Sequence, residues 1–238
     1  MFNQLRQLLE QASYPVIFTG AGMSTESGLP DFRSATGMWK KFSPEELASV
    51  HALEHNREEF IDFYRNRLEA IEQYQPHIGH EILAKWEADG KIKSIITQNV
   101  DGFHHQAGSK AVYELHGTLR RCHCHQCGND FDKSKFIAGK SCDCGGFVRP
   151  SIVLFGEMLP EEPFLAAERE SAEADLFIVL GSSLSVTPAN FFPIQAKESG
   201  AALVIVNMEP TELDGMADIV IHNRKIGELL VELDKELI

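Results

Sequence analysis

Five short, mostly apolar runs punctuate the chain, at residues 15–20 (PVIFTG), 92–97, 176–180, 203–206 and 219–221. Each has the length and the β-branched content of a strand buried on both faces. Helical periodicity lies between several of them, around 81–88 and 163–174, and Phe2, Leu5, Leu8, Leu9 and Ala12 open the chain at helical spacing. Buried strands alternating with helices imply α/β architecture, a Rossmann-like parallel sheet with helices on both faces. Two regions break the rhythm. Residues 43–74 read as helical and polar with no strand; residues 120–149 hold every cysteine and little regular pattern. We therefore expect one core over 1–238, with a large domain from 1–34, 76–118 and 150–238. A small lobe would combine a helical insert (35–75) and a metal module (119–149). A cleft between lobes is a natural ligand site.

The bulk properties exclude several classes. With 238 residues, 43% of them apolar, the chain suits a single globular core. No apolar run approaches the roughly 18 residues of a membrane helix, and the first ten residues lack the pattern of a signal peptide. A cytoplasmic monomer without membrane or direct nucleic-acid contact is expected. The net charge of −13 repels nucleic acid and suits lysine-rich protein segments, although it is also ordinary for an acidic cytosolic protein.

The first run passes into Gly20-Ala21-Gly22-Met23-Ser24-Thr25. Glycines after a parallel strand let the backbone approach a pyrophosphate. Thr25 stands where the dehydrogenase pattern G-x-G-x-x-G needs its third glycine, and no second strand ends in an acid about twenty residues on. Alone, the segment reads equally as a tight strand-to-helix turn.

The longer string Gly20-Ala-Gly-Met-Ser-Thr-Glu-Ser-Gly-Leu-Pro-Asp-Phe-Arg33-Ser34 resembles the cofactor loop of the sirtuins, the NAD-dependent protein deacylases. Thr97-Gln98-Asn99-Val100-Asp101-Gly102, His116-Gly117, Arg149-Pro150 through Phe155-Gly156-Glu157, Gly181-Ser182-Ser183-Leu184 and Val206-Asn207 resemble the family's remaining motifs, in family order.

The resemblance implies roles residue by residue. Gly20, Ala21, Gly22 and Thr25 would contact the dinucleotide, with Phe32 and Arg33 over the nicotinamide ribose. Gln98 would face the ribose, and Asn99, Val100 and Asp101 would shape the nicotinamide pocket. Ser182, Ser183, Asn207 and Ile226 would hold the adenosine half. NAD would be consumed, giving nicotinamide, free lysine and O-acetyl-ADP-ribose. A ribose hydroxyl must lose a proton on the way. Imidazole titrates near working pH, so His116 would be the base, with Asn99 and Asp101 as the other catalytic residues and the Asp101 carboxylate gripping the carboxamide that leaves. The acylated segment would enter as an added strand between 155–157 and 184–186, touching Phe155, Gly156, Glu157, Ser185 and Val186. Val153 and Phe155 would line the lysine tunnel, a role that plain core packing contests for Phe155.

Five cysteines cluster at Cys122, Cys124, Cys127, Cys142 and Cys144, an odd set that argues for metal over disulfides. Two close pairs separated by fourteen residues suit a structural zinc ion. The resemblance puts the first pair on Cys124 and Cys127 and leaves Cys122 surplus. Cys142 and Cys144 depart from the family, being one residue apart instead of two. Cys122, His123 and His125 stay open as substitute ligands.

Tyr64 and Arg67 share a helix face in the insert. In one sirtuin class such a pair, with a small residue upstream as at Ala48, receives the carboxylate of succinyl- or malonyl-lysine. The same residues also fit an ordinary solvated helix. Two other functions stay in play: a protein ADP-ribosyltransferase on the same scaffold, and a non-catalytic zinc-containing binding module.

Overall fold

The structure is a computed structural model that describes residues 1–32, 34, 37–40 and 43–237. In chain order its elements are α1 (Phe2–Gln11), β1 (Pro15–Thr19), α2 (Pro44–Leu47), α3 (Val50–His55), α4 (Arg57–Ile71), α5 (Ile78–Ala88), β2 (Ser94–Thr97), α6 (Phe103–Ala107) and β3 (Val112–Glu114). There follow β4 (Gly117–Cys124), β5 (Asp130–Phe131), α7 (Lys133–Ile137), β6 (Val148–Ile152), α8 (Glu161–Glu173), β7 (Leu176–Leu180), α9 (Phe191–Glu198), β8 (Ala202–Val206), β9 (Ile219–Ile221) and α10 (Ile226–Glu236).

Six strands form one sheet in the order β3-β2-β1-β7-β8-β9, and every pairing is parallel. Counted along the chain this is the doubly wound order 3-2-1-4-5-6. Alternate side chains of each central strand enter different cores. Ile17, Ile178 and Val204 pack with Leu5, Trp86 and Leu230 on one face, while Phe18, Val179 and Ile205 pack with Ala167 and Phe192 on the other. Burial on both faces is why these strands read as unbroken apolar runs.

A third core joins the helical insert to the cysteine region, with Phe60, Tyr64 and Leu68 of α4 packing with Leu119, Cys122, Val148 and Leu154. The expectation of little regular pattern over 120–149 is corrected here. The segment contributes an antiparallel sheet in the order β5-β4-β6, whose strands begin at Gly117 and end at Ile152. The alternation was concealed because cysteines supply its buried positions, Cys122 and Cys124, and because the register shifts between Thr118 and Cys122.

Candidate active site

β1 and β7 lie side by side where the sheet reverses its winding, and each is followed directly by a glycine, Gly20 and Gly181. Such a switch point opens a crevice at the carboxyl ends of the strands. Gly20 N donates to Leu180 O (3.1 Å) and Gly22 N to Gly181 O (2.8 Å). The two turns approach so closely that a Cβ on Gly22 would lie 2.8 Å from Gly181 Cα. One on Gly181, whose φ is +66°, would lie 2.4 Å from Met23 N. No side chain fits either position. The chain then makes a 3-10 helix over Ala21–Ser27 instead of an α-helix.

Above this junction lies a cavity of about 710 Å³, within the usual range for a small-molecule site. It gathers most of the residues singled out from sequence: Gly20, Ala21, Gly22, Thr25, Phe32, Gln98, Asn99, Val100, His116, Ser182, Ser183, Asn207 and Ile226. Tyr64, Arg67, Val153, Phe155, Gly156, Glu157 and Val186 line it too. Two expected residues do not. Ser185 is exposed beside it, its hydroxyl 2.9 Å from that of Ser183. Asp101 is buried behind the wall, where Oδ2 accepts from Ser24 Oγ (2.7 Å) and Oδ1 from Phe103 N (2.9 Å). Asn99 Nδ2 donates to the same Ser24 oxygen at 3.2 Å. Burial pushes the Asp101 pKa up, against the pull of these hydrogen bonds. Arg33 lies outside the described residues.

His116 follows β3, and its Nδ1 is 3.0 Å from the carbonyl oxygen of Gln98. A carbonyl only accepts, so Nδ1 carries the proton and Nε2 is the basic nitrogen of the neutral ring. The next residue, Gly117, has φ of +72°, and a Cβ there would meet Ser151 O at 2.2 Å. The His-Gly pair thus turns the chain directly against β6.

Three further histidines lie behind the glycine turn. His77 Nε2 is 2.7 Å from Met23 O, and His104 Nε2 is 3.0 Å from Thr19 Oγ1. Burial, with smaller contributions from neighbouring imidazoles, lowers His80 to about 2 and His104 to about 3. Both are neutral fixtures of the interior.

The sulfur atoms of Cys124, Cys127, Cys142 and Cys144 all lie within 4.8 Å of one another. The Cys124–Cys144 and Cys127–Cys142 pairs are both 3.6 Å apart. Tetrahedral zinc with bonds of about 2.3 Å separates its sulfurs by about 3.8 Å, so the four are positioned for a zinc ion. The short Cys142–Cys144 spacing is accommodated by a turn in which Gly145 N donates to Cys142 O (2.9 Å). Gly146 sits so tightly beneath the cluster that a Cβ would meet Cys124 Sγ at 2.5 Å. The substitute ligands fall away. Cys122 points into the core, where burial pushes its thiol to about 12; His123 Nδ1 bonds Ser151 Oγ (3.0 Å), and His125 is exposed.

At the far end of the cavity, Arg67 stacks over Phe32, Phe63 and Tyr64, with ring centres 5.1, 5.6 and 5.9 Å from its guanidinium carbon. Among the described residues no carboxylate forms an ion pair with it. Burial lowers its pKa from the usual guanidinium value and raises the Tyr64 hydroxyl to about 12. The ordinary solvated helix is therefore not what Tyr64 and Arg67 occupy: both face the cavity, with Ala48 alongside.

Sequence reasoning missed Ser24, which braces Asp101 and Asn99, and the cavity-lining Glu209, Arg224 and Lys225. Ser24 lies within the recognised string; the last three follow β8 and precede α10, where no pattern marks them.

A family model described as the Sir2 family matches residues 20–188. A protein of Oceanobacillus iheyensis named NAD-dependent protein deacetylase is 56% identical over 234 residues, covering 98% of this chain and 99% of its own. One of the same name from Saccharolobus solfataricus is 46% identical, covering 93% and 92%. Among solved structures, a Sir2 homologue mutant in complex with ADP-ribose superposes with a TM-score of 0.95 at 38% identity, over 100% of this chain and 96% of that one. A Sir2 mutant with deacetylated p53 peptide and 3'-O-acetyl ADP-ribose superposes at 0.92 with 37% identity, over 99% and 98%.

Proposed function

The chain belongs to the Sir2 family, and on that premise we propose that it is an NAD-dependent deacylase of protein lysine side chains, acting on acetyl-lysine. The observation that carries the proposal is the His116 Nδ1–Gln98 O hydrogen bond, which fixes a basic Nε2 in the cavity that also holds the Gly20–Gly22 turn. NAD, when bound, supplies a ribose carbon that becomes electrophilic as nicotinamide departs and that then receives the acyl oxygen.

The chain's own residues do the rest. The turn at Gly20, Ala21 and Gly22 admits the pyrophosphate. Ser182, Ser183, Asn207 and Ile226 hold the adenosine half, and Thr25, Phe32, Arg33 and Gln98 hold the ribose side. Asn99 and Val100 bound the nicotinamide pocket, with Asp101 acting from behind through Ser24 and Asn99. His116 Nε2 takes the proton of a ribose hydroxyl. The acylated segment runs along 153–157 and Val186, and the four-cysteine zinc ion is structural because no ligand position is left for water.

A second reading concerns the acyl group. Arg67, in ion-pair contact with no carboxylate among the described residues and lining the cavity beside Tyr64, suits the distal carboxylate of succinyl- or malonyl-lysine through paired charge-assisted hydrogen bonds.

The test supplies NAD with matched acetyl- and succinyl-lysine peptides. The expected products are nicotinamide, free lysine and O-acyl-ADP-ribose, and His116→Ala lowers turnover by about 10²–10⁴-fold. A peptide made heavier by ADP-ribose would instead identify a transferase, and absence of nicotinamide release a binding module. Arg67→Ala should cut the succinyl/acetyl ratio by about tenfold; an unchanged ratio removes the second reading.

A further inference from the structure

Arg149, the one cation of β6, is 1% exposed and lies one residue after Val148, which pairs with Cys124 of the zinc module. Its guanidinium donates to Glu157 Oε1 through Nη1 (2.5 Å) and to Oε2 through Nη2 (2.9 Å). Nη2 also reaches Ile152 O (2.6 Å), and Nε reaches Pro150 O (3.4 Å). Glu157 Oε2 in turn accepts from Leu154 N at 2.8 Å. The Glu157 carboxylate, which the sequence pattern assigns to substrate contact, is thus committed to the protein itself. It closes a ring from β6 around the loop 153–157 and back.

Within that loop Leu154 is anchored by burial, in the core shared with the helical insert, while Phe155 is 44% exposed and Met158, just beyond the loop, 92%, so burial anchors neither of those. Its backbone is tied to neighbours instead: Val153 N to His116 O (2.8 Å), Phe155 N to Ala48 O (2.9 Å) and Val50 N to Phe155 O (3.0 Å). These bonds couple the loop to the base on one side and to the helical insert on the other. A buried ion pair often adds little net stability compared with apolar packing, but it fixes geometry. Here the geometry fixed is that of the extended segment between His116 and the insert.

Resting on the deacylase reading, we propose that Arg149 is a positioning residue for the acylated substrate. By clamping Glu157 it holds the backbone of 153–157 on the course along which the acyl-lysine segment docks, and it takes no part in holding NAD. The clamp separates the two substrates energetically. Its loss loosens the peptide wall and leaves the β1–β7 junction intact, because among the described residues no hydrogen bond joins Arg149 or Glu157 to Gly20, Gly22 or Gly181.

The experiment compares wild type with Glu157→Gln, which keeps an oxygen for Leu154 N but gives up the charged two-pronged contact, and with Arg149→Met. KM for acetyl-peptide and for NAD, kcat, zinc content and melting temperature are measured for each. The expected result for Glu157→Gln is a rise of about tenfold in peptide KM, with NAD KM and kcat within about twofold and zinc retained. Arg149→Met should raise peptide KM at least as far; if it fails to fold, Glu157→Gln decides alone. An unmoved peptide KM overturns the proposal, as does a fall in kcat with both KM values unchanged, the mark of a merely smaller folded fraction. Absence of turnover in wild type would overturn the deacylase reading and this inference with it. Wild-type turnover with an unmoved peptide KM overturns this inference alone.

Discussion

The two walls of the cavity are held by different physics. On the β1–β7 side, backbone packs on backbone. Gly22 and Gly181 meet without side chains, and apolar cores cover the strands from both faces. On the other side, an apolar core is completed by side chains that must be charged or metal-bound: four thiols within 4.8 Å of one another, and one guanidinium–carboxylate ring. A backbone junction is rigid and tolerates almost no substitution. A wall held by thiolates and an ion pair can be loosened without unfolding the sheet. Perturbations should therefore separate cleanly by side.

The largest separation is expected from zinc removal, by a strong chelator or by Cys127→Ser. Cys124 and Cys142 belong to the same core as Tyr64 and Leu154, and the exposed Cys127 and Cys144 complete their site, so losing the metal unties that core from the rest of the module. Acyl-peptide turnover should fall by more than about 10³-fold, since the docking wall and the insert lose their frame together. Amide exchange should rise in β4 and β6 while β1, β7 and β8 keep their protection. Equal loss of protection in both sheets would break the comparison.

Gly181→Ala attacks the other wall. Its Cβ would meet the backbone of Gly22 and Met23, which cannot rotate aside, at a φ that disfavours any side chain. Displacement of the pyrophosphate turn by even a fraction of an ångström should lower kcat/KM for NAD by about 100-fold. Zinc content should be unchanged. A variant that loses zinc as well would show that the two walls stand or fall together.

How far the sequence foretold this division follows from the same contrast. The parallel strands were legible because burial on both faces makes them unbroken apolar runs, as in Leu176–Leu180. The glycine turn, Gln98–Asn99 and His116 were legible because they sit at the ends of such strands, within strings that resemble one family throughout. The antiparallel sheet was not, because its buried alternation is carried by Cys122 and Cys124 and interrupted by a register shift. Nor was the side on which Asp101 lies. That depends on a hydrogen bond to Ser24, 77 residues earlier in the chain, and no local pattern encodes it. Glu157 reads from its motif as a substrate contact, and only the fold brings the Arg149 guanidinium onto both of its oxygens.

The smallest expected effect tests where the metal wall ends. Cys122 lies two residues from Cys124 on the same strand, and sequence alone could not decide whether it ligates. In the sheet it stands opposite Phe131 and Pro150, fully buried, outside the cluster of four. Burial raises its thiol to about 12, so it stays a neutral, small apolar group at working pH. Cys122→Ala removes one sulfur atom from a packed core and should cost about 1 kcal/mol in urea unfolding. Zinc content and peptide KM should hold at wild-type values. Cys122→Ser should cost more, about 1–3 kcal/mol, because the hydroxyl introduced there needs a hydrogen-bond partner that a thiol does not. A fall in zinc content in Cys122→Ala would move the boundary, making Cys122 a ligand and one of the four outer thiols the surplus. A preserved zinc site with the ordering Ala milder than Ser would mark Cys122 as core and confine the metal-dependent wall to Cys124, Cys127, Cys142 and Cys144.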